Sequence, residues 1–465
     1  MALSRLWSAF VIIAVVVALI KFCFIESEKQ VFTSMVIGKS GDSIKVKESE
    51  IPLAPIAVVN GLEKSSRFEY NGLVYKKEGD KIIAVKPQRV DGIIETCKSA
   101  VTICLGLIGI MTLFMGFMTI AERAGGIRLL SRIIGPFFTK LFPEVPKNHP
   151  SLGHMMMNFS ANLLGLDNAA TPFGIKAMES LQELNPSKEK ATNAQVMFLA
   201  LHASGLTLIP VSIIALRAST GAKNATDIFI PCMIATFAAT MAAMVIVSVR
   251  QKINLLRPVI ISWVLGISAI IAALVLYLKS LDKNGLESFS GIFGNGLLLL
   301  ILFLIVLGGL YKRINIFDAF IDGARGGFEV AVRIIPYLVG MLVAISMLRT
   351  SGTFDYIIEG IKALFIALGT DTQFVDGLPT ALVKPFSGSG ARGMMVDTMK
   401  TFGADSFAGR LSCILQGSSD TTFYVVAVYF GAVGVKNVRY SIGAMLLADL
   451  VGIITSIILA YLFFA

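Results

Sequence analysis

The stretch that decides the fold is FAGRLSCILQGSSDTTFYVVAVYFGAV, from Phe407 to Val433. Its two ends are apolar, and together they are long enough to cross the ~30 Å hydrocarbon core of a membrane as a helix. Its centre, Gly417 to Thr422, consists of small, hydroxyl-bearing or acidic residues, which compete with helical hydrogen bonds. A broken helix is tolerated at membrane depth only where protein or a water-filled cavity covers it. The stretch therefore predicts a membrane protein with a polar interior site.

The composition of the whole chain agrees with a membrane protein. The 465 residues are 55% hydrophobic and 15% charged, with a mean hydropathy of +0.75, whereas soluble domains are about 25% charged. The net charge of +10 comes from Lys and Arg scattered among short loops. That pattern sets membrane orientation, so no nucleic-acid partner is expected. The five cysteines and three histidines show no zinc spacing, and neither a metal nor a cofactor is expected.

Nine apolar runs are predicted to span the bilayer, and two polar hairpins to enter and leave it on the same side. Positive residues at alternate ends place the N-terminus in the cytoplasm and the C-terminus outside a bacterial cytoplasmic (inner) membrane. The first run lacks a cleavage site, so residues 1–26 are interpreted as an uncleaved anchor. The predicted spans are residues 6–24, 101–121, 193–216, 227–249, 259–278, 291–310, 331–348, 407–433 and 441–464, and the re-entrant hairpins are residues 151–173 and 377–393.

Residues 27–95 differ in kind from the rest of the chain. They contain short β-prone runs, and Asn71-Gly72 between two of them is a strong hairpin signal. A small β-rich extracytoplasmic domain is predicted, and an envelope partner for it is left open. The predicted strands are residues 31–37, 43–46, 67–70, 73–76 and 81–85.

The chain also contains an internal repeat. Residues 96–250 and 324–465 share one order of parts: a span ending in a Gly turn, an amphipathic stretch, a polar hairpin, a polar helical stretch, an interrupted span, a Lys-Asn turn and a final span. Residues 251–323 are predicted to be linking transmembrane helices. The charge pattern makes the repeats inverted, an architecture of many secondary transporters. The predicted fold class is therefore an all-α polytopic membrane protein.

Each hairpin carries side chains suited to a polar solute. The first offers amide and hydroxyl groups, with Asp167 as a carboxylate able to bind a proton or a cation. The second combines glycines, hydroxyls and two cations in an anion-friendly nest. The alternative for both is that these groups satisfy the hairpin's own backbone and that the cations extend to the interface. The candidate ligands are Asn158, Asn162, Asn168 and Thr171 in the first hairpin and Lys384, Ser387, Ser389 and Arg392 in the second.

The interrupted span from 407 to 433 supplies a third group of candidates. Asp420 is costly within a membrane, so we expect it to face a cavity and to couple to H⁺ or Na⁺. Asp449, in the last span, is a further candidate for ion coupling. His202 holds the matching position in the first repeat and is interpreted as a packed residue. The candidate ligands in this span are Gln416, Ser418, Ser419 and Thr421, and the alternative is a cluster of hydrogen bonds between helices.

These motifs resemble those of a known family. The stretch from Asn158 to Gln182, with its ANLLG and NAATP motifs, is similar to spore maturation protein A. The KPFSGSG motif that begins at Lys384 and the QGSSDTTFY motif are similar to spore maturation protein B. Both families contain the nucleoside-recognition, or Gate, domain, so residues 96–465 resemble a fusion of the two. Asp167 stands where a small residue is expected, and Asp420 where the second family more often carries Glu.

The sequence predicts a secondary transporter or exporter of a small polar or anionic solute, nucleoside-like, peptide-like or an envelope metabolite. No Ser–His–Asp arrangement or Walker motif is present, so an enzyme is not expected. Two other functions stay open: a non-transporting envelope or maturation factor, and a flippase for a lipid-linked headgroup. The expected partners are the lipid bilayer and the solute, and a homo-oligomer is also left open.

Overall fold

The computed structural model describes residues 2–25, 29–45, 67–70, 73–78, 81–165, 167–281 and 283–464. The chain divides into two compact units. The larger comprises Met1–Leu3, Val101–Leu338 and Gly369–Ala465, and the smaller comprises Ser4–Ala100 and Val339–Leu368.

The described elements are helical except for four strands near the N-terminus. The helices are α1 (Ala2–Phe24), α2 (Val31–Ile37), α3 (Ile93–Arg123), α4 (Gly126–Leu141), α5 (Pro150–Leu163), α6 (Asp167–Glu183), α7 (Asn193–Ala203), α8 (Val211–Ser219), α9 (Phe229–Gln251), α10 (Pro258–Lys279), α11 (Lys283–Tyr311), α12 (Ile316–Thr350), α13 (Thr353–Ala367), α14 (Pro379–Val383), α15 (Gly388–Phe402), α16 (Phe407–Gly417), α17 (Thr422–Ala432) and α18 (Ser441–Phe464). The strands are β1 (Gly38–Lys45), β2 (Arg67–Tyr70), β3 (Leu73–Glu78) and β4 (Lys81–Asp91).

Seven helices in the described part of the chain are long and apolar enough to cross a membrane: α1, α3, α9, α10, α11, α12 and α18. The chain is thus a polytopic membrane protein. The other two predicted spans are not continuous helices, because each consists of two short helices joined by an irregular segment. The first of these pairs is α7–α8 and the second is α16–α17. The helix break predicted at the centre of residues 407–433 is confirmed.

The smaller unit holds an antiparallel sheet in the order β1-β4-β3-β2. Tyr70 pairs with Leu73 across β2 and β3, and the two residues between these strands lie outside the described part. The prediction of a strand over residues 31–37 is wrong, since these residues form α2. Its buried residues, Val31 and Met35, are four positions apart, a spacing that places both on one helical face.

The two repeats show the same local geometry after their first span. Gly125 follows α3 with φ +83°, and Gly352 follows α12 with φ +79°. Glycine adopts this left-handed conformation at little cost, so the chain can turn sharply into α4 and α13. The amphipathic stretch predicted after the first span of the first repeat forms α4.

Within the larger unit, the two broken helices run in opposite directions. At one end, which we call the Tyr440 end, the Gln251 side-chain amide donates to the Asn193 carbonyl and to the Tyr440 hydroxyl, both at 2.8 Å. At the other, which we call the Arg217 end, Arg217 Nη1 donates to the Ala404 carbonyl at 2.7 Å. Helices α7 and α8 therefore run from the Tyr440 end to the Arg217 end, whereas α16 and α17 run back. This antiparallel course agrees with inverted repeats.

Candidate functional site

The breaks in the two helices meet in the interior of the larger unit. Helix α7 ends at Ala203, and α16 ends at Gly417. The backbone amide of Asp420 donates to the Ala203 carbonyl at 2.6 Å, which joins one break to the other. Gly205, with φ +60°, lies beside the backbone of Ser419 and Asp420. A glycine at this position lets the two backbones approach without a side chain between them.

Each hairpin is fastened to the broken helix of its own repeat by one backbone hydrogen bond. In the first repeat, the Leu208 amide donates to the Leu163 carbonyl at 2.8 Å. In the second, the Phe423 amide donates to the Pro385 carbonyl at 3.0 Å. Three backbone hydrogen bonds thus join the four irregular segments, which are two hairpin turns and two helix breaks, into one assembly.

His202 lies at the centre of this assembly and is a functional candidate that the sequence did not single out. Its ring is buried and packs edge-on against Tyr429, with 4.7 Å between ring centroids. Nδ1 lies 3.0 Å from Asn158 Oδ1 and 2.9 Å from Asn162 Nδ2. Nε2 lies 3.9 Å from Asp420 Oδ2. The histidine therefore links two predicted ligands of the first hairpin to the carboxylate of the second broken helix.

Asp420 is the solvent-exposed residue of this group. Its side chain is 49% exposed, whereas that of His202 is 4% exposed. Asn162 is half-buried, and Asn158 is fully buried, where its amide donates to the Ala170 carbonyl at 2.6 Å. The site thus combines a solvent-accessible carboxylate with neighbouring amide and imidazole groups that are largely buried.

Lys384 of the second hairpin is buried and does not face solvent. Only 4% of this residue is exposed, and Nζ donates to the carbonyls of Leu415 and Gln416 at 2.6 and 2.7 Å. Ser418 Oγ lies 3.5 Å from the same nitrogen. The lysine therefore caps the C-terminal end of α16.

Gln416, whose carbonyl accepts from Lys384, and Asp449, whose charge acts on Lys384, each have a buried side-chain oxygen with no hydrogen-bond partner among the described residues, Gln416 Oε1 and Asp449 Oδ1. The other oxygen of Asp449 accepts a hydrogen bond from Thr422 Oγ1 at 2.6 Å. Ser419 and Lys384 are also close enough to act on the Asp449 carboxylate. Asp449 is therefore a buried carboxylate with one oxygen bonded to Thr422 and the other without a partner among the described residues.

The other candidate residues do not take part in the contacts around His202 or Lys384 described above. Ser387 accepts a hydrogen bond from the Gly390 amide at 2.9 Å and caps α15, and its hydroxyl lies 3.3 Å from that of Ser389. Thr421 is buried against Gly388. Four candidates remain. Thr171 contacts Tyr429, and Arg392 is half-buried. The side chains of Asp167 and Asn168 lie outside the described part of the structure.

Gly174 supports the wall of the site, and we expect its replacement by alanine to be destabilising. A Cβ at this position would lie 2.5 Å from the Tyr429 ring and 2.8 Å from Asn158 Nδ2. The side-chain and backbone shifts that accommodate such extra atoms typically lower the free energy of unfolding by about 1–3 kcal/mol. Thermal unfolding in detergent should show a lower melting temperature for Gly174→Ala. The control is Gly153→Ala on α5, where a Cβ meets nothing within 4 Å. An equal effect of both substitutions would refute this packing role.

The Arg217 end holds an ionic cluster that the sequence analysis did not identify. Arg217 is completely buried and lies 2.8 Å from Asp227 and 3.1 Å from Asp405. Arg410 Nε lies 2.7 Å from the second oxygen of Asp227. The available signal was an arginine within an apolar span, because such residues inside a membrane protein are usually paired.

The antiparallel broken helices, the hairpins fastened to them and the apolar helices define a multi-pass membrane protein built around a polar crossing. The chain belongs to the nucleoside-recognition (Gate) family, whose sequence model matches residues 104–220 and 331–436. It is 47% identical over 160 residues to spore maturation protein B of Bacillus subtilis (strain 168), covering 34% of this chain and 88% of that protein.

A second relative is spore maturation protein A of the same organism. It is 40% identical over 156 residues, which cover 34% of this chain and 80% of that protein. The resemblance to both families is thereby confirmed. No solved structure matches the chain.

Proposed function

We propose that this protein is a secondary transporter or exporter that moves a small polar solute through the crossing of its two broken helices. The observation that carries the proposal is the half-exposed Asp420 beside buried His202, at the point where the two breaks are hydrogen-bonded. Broken helices of inverted repeats that meet in a membrane interior are a frequent construction of substrate sites in transporters.

The charge of the site favours a neutral solute rich in hydrogen-bond donors over an anion. The exposed charged group at the crossing is the carboxylate of Asp420, and Lys384 is already occupied by backbone carbonyls. The half-buried amide of Asn162 supplies both a donor and an acceptor. A hydroxylated, nucleoside-like molecule fits this set of groups, and the nucleoside-recognition family description supports the same class.

In this proposal, the remaining predictions describe how the transporter sits in the membrane. The nine spans comprise the seven long helices and the two broken pairs, with the hairpins re-entrant. The N-terminus lies in the cytoplasm of a bacterial inner membrane, and residues 27–95 lie outside. The Tyr440 end, with Arg250, Lys252, Lys436 and Arg439 near it, would face the cytoplasm under the positive-inside rule.

Flux measurements on Asp420 variants test the proposal. Purified protein in proteoliposomes is assayed for uptake of a nucleoside panel by mass spectrometry. We expect Asp420→Asn to reduce flux at least about tenfold, because it removes a charge that contributes more than ~1.4 kcal/mol to solute or proton binding. Asp420→Glu should retain flux, since it keeps the carboxylate. The control is Glu179→Gln, an exposed acid on α6. Wild-type flux in Asp420→Asn would overturn the assignment.

A non-transporting envelope role is the second candidate, and the spore maturation proteins among the relatives favour it. In that case residues 27–95 would recruit a cell-envelope partner. Deletion of residues 27–95 in cells distinguishes the envelope role from transport. A lost phenotype with intact flux, or with none of the panel ever transported, supports the envelope role over transport.

A further inference from the structure

The C-terminal end of α16 is closed by a side chain from the second hairpin. The last carbonyls of a helix have no partner within the helix, and the helix dipole makes that end negative. Here the carbonyls of Leu415 and Gln416 receive the ammonium group of Lys384, with Ser418 Oγ as a third oxygen. The charge is buried, since only 4% of Lys384 is exposed.

The atoms around this ammonium are those that bind a monovalent cation. Carbonyl ends of half-helices and unwound backbone coordinate Na⁺ in transporters with broken helices. Gln416 and Asp449 each also have a buried side-chain oxygen, Oε1 and Oδ1, without a hydrogen-bond partner in the described part of the chain. The Asp449 carboxylate also interacts electrostatically with the Lys384 ammonium group. The surroundings of Lys384 therefore resemble a cation site more than an ordinary helix cap.

The first repeat shows that capping alone does not require a lysine. The matching end of α7 is completed by backbone groups, because the Ala203 carbonyl accepts from the Asp420 amide and the Ala200 carbonyl accepts from the Ser204 amide. Both broken helices thus end without loss of hydrogen bonds, and only the second uses a cation. This asymmetry points to a role for the charge itself.

We propose that Lys384 is a tethered cation that occupies a monovalent-cation site at the end of α16, so that protons rather than Na⁺ drive the transport cycle. This inference rests on the proposed transport function. Release of a proton to water would leave a neutral amine with two donors for three oxygens, and would weaken the joint between the second hairpin and α16. The charged and titratable groups around Lys384 are Asp449 on α18, Asp420 in the break, Arg392 on α15 and Cys232 on α9.

Thermal stability in different salts tests the cation site without any solute. The full chain in detergent is melted in NaCl and in choline chloride at equal ionic strength. We expect the wild-type melting temperature to be the same in both. Lys384→Ala should melt several degrees lower in choline and should recover in NaCl, because Na⁺ enters the vacated space. Lys384→Met fills that space without a charge and should not respond to Na⁺. The control is Lys400→Ala, an exposed lysine on α15.

Na⁺ stabilisation of the wild type, or no response of Lys384→Ala to Na⁺, would overturn the inference. If Lys384→Ala does not fold, the wild type still decides the matter in proteoliposomes. A pH gradient without Na⁺ should support wild-type flux, and an absolute requirement for a Na⁺ gradient would refute proton coupling while leaving transport intact. Absence of flux under both gradients would instead refute the proposed function, and the salt dependence of melting would still report on the site.

Discussion

Replacing Arg217 with leucine is expected to lower the free energy of unfolding by roughly 3–5 kcal/mol, the usual cost of removing one partner from a buried ion pair. The side chain is fully buried between Asp227 and Asp405, and it also donates to the carbonyls of Ala404 and Asn224. Its removal leaves two carboxylates with one remaining cation, Arg410. Melting of the solubilised protein should show the loss as a large fall in melting temperature.

A matched pair on the surface of the same unit provides the control. Arg123 lies 2.7 Å from Asp322, but the two side chains are 46% and 47% exposed. Exposed pairs of this kind contribute about 0–1 kcal/mol, so Arg123→Leu should leave the melting temperature nearly unchanged. A small effect of Arg217→Leu, comparable to that of Arg123→Leu, would show that the cluster does not hold the two repeats together at this end.

If the protein is the transporter proposed above, a disulfide at the Tyr440 end is expected to abolish flux. Glu189 and Lys436 are joined there by side chains 2.7 Å apart and by a backbone hydrogen bond of 2.9 Å. This proximity suits a disulfide between cysteines introduced at both positions, in a chain whose native cysteines are replaced. Because alternating access requires each end to open in turn, oxidation should reduce flux to background, and reduction should restore it.

Single-cysteine variants, oxidised in the same way, control for damage by the oxidant. The extent of cross-linking is measured by mass spectrometry, so that flux can be compared with the fraction joined. Full flux in completely cross-linked protein would mean that the Tyr440 end does not open during the cycle. Retained but slower flux would likewise contradict a strict requirement for separation at this end.

The periodicity and polarity of the sequence were sufficient to predict most of the helices. The apolar runs, the amphipathic helix over residues 126–141 and the break near Asp420 all have local causes, namely length, hydrophobic spacing and competing side chains. The α2 segment shows the limit of this approach. Its β-branched residues favour a strand, but the burial of Val31 and Met35 on one face favours the helix observed.

The surroundings of the candidate residues could not be predicted, because they depend on contacts between distant segments. Lys384 was predicted to attract an anion, and its position beside the last carbonyls of α16 follows only from the fold of the second hairpin. The residues next to His202 in the sequence do not indicate a site. His202 is a candidate because its ring lies beside Asn158, Asn162 and Asp420, which are far from it in the chain. Such convergence is set by topology rather than by local propensity.

The links between the irregular segments are made of main-chain atoms, so they do not depend on the chemistry of most side chains in the site. The bonds from Asp420 to Ala203, from Leu208 to Leu163 and from Phe423 to Pro385 use amides, which every residue except proline supplies, and carbonyls, which every residue supplies. Substitution of a side chain such as that of His202 leaves these hydrogen bonds in place, whereas a residue other than glycine at Gly205 would strain the backbone between the two breaks. The candidate side chains can therefore be substituted while the main-chain geometry of the two breaks is kept.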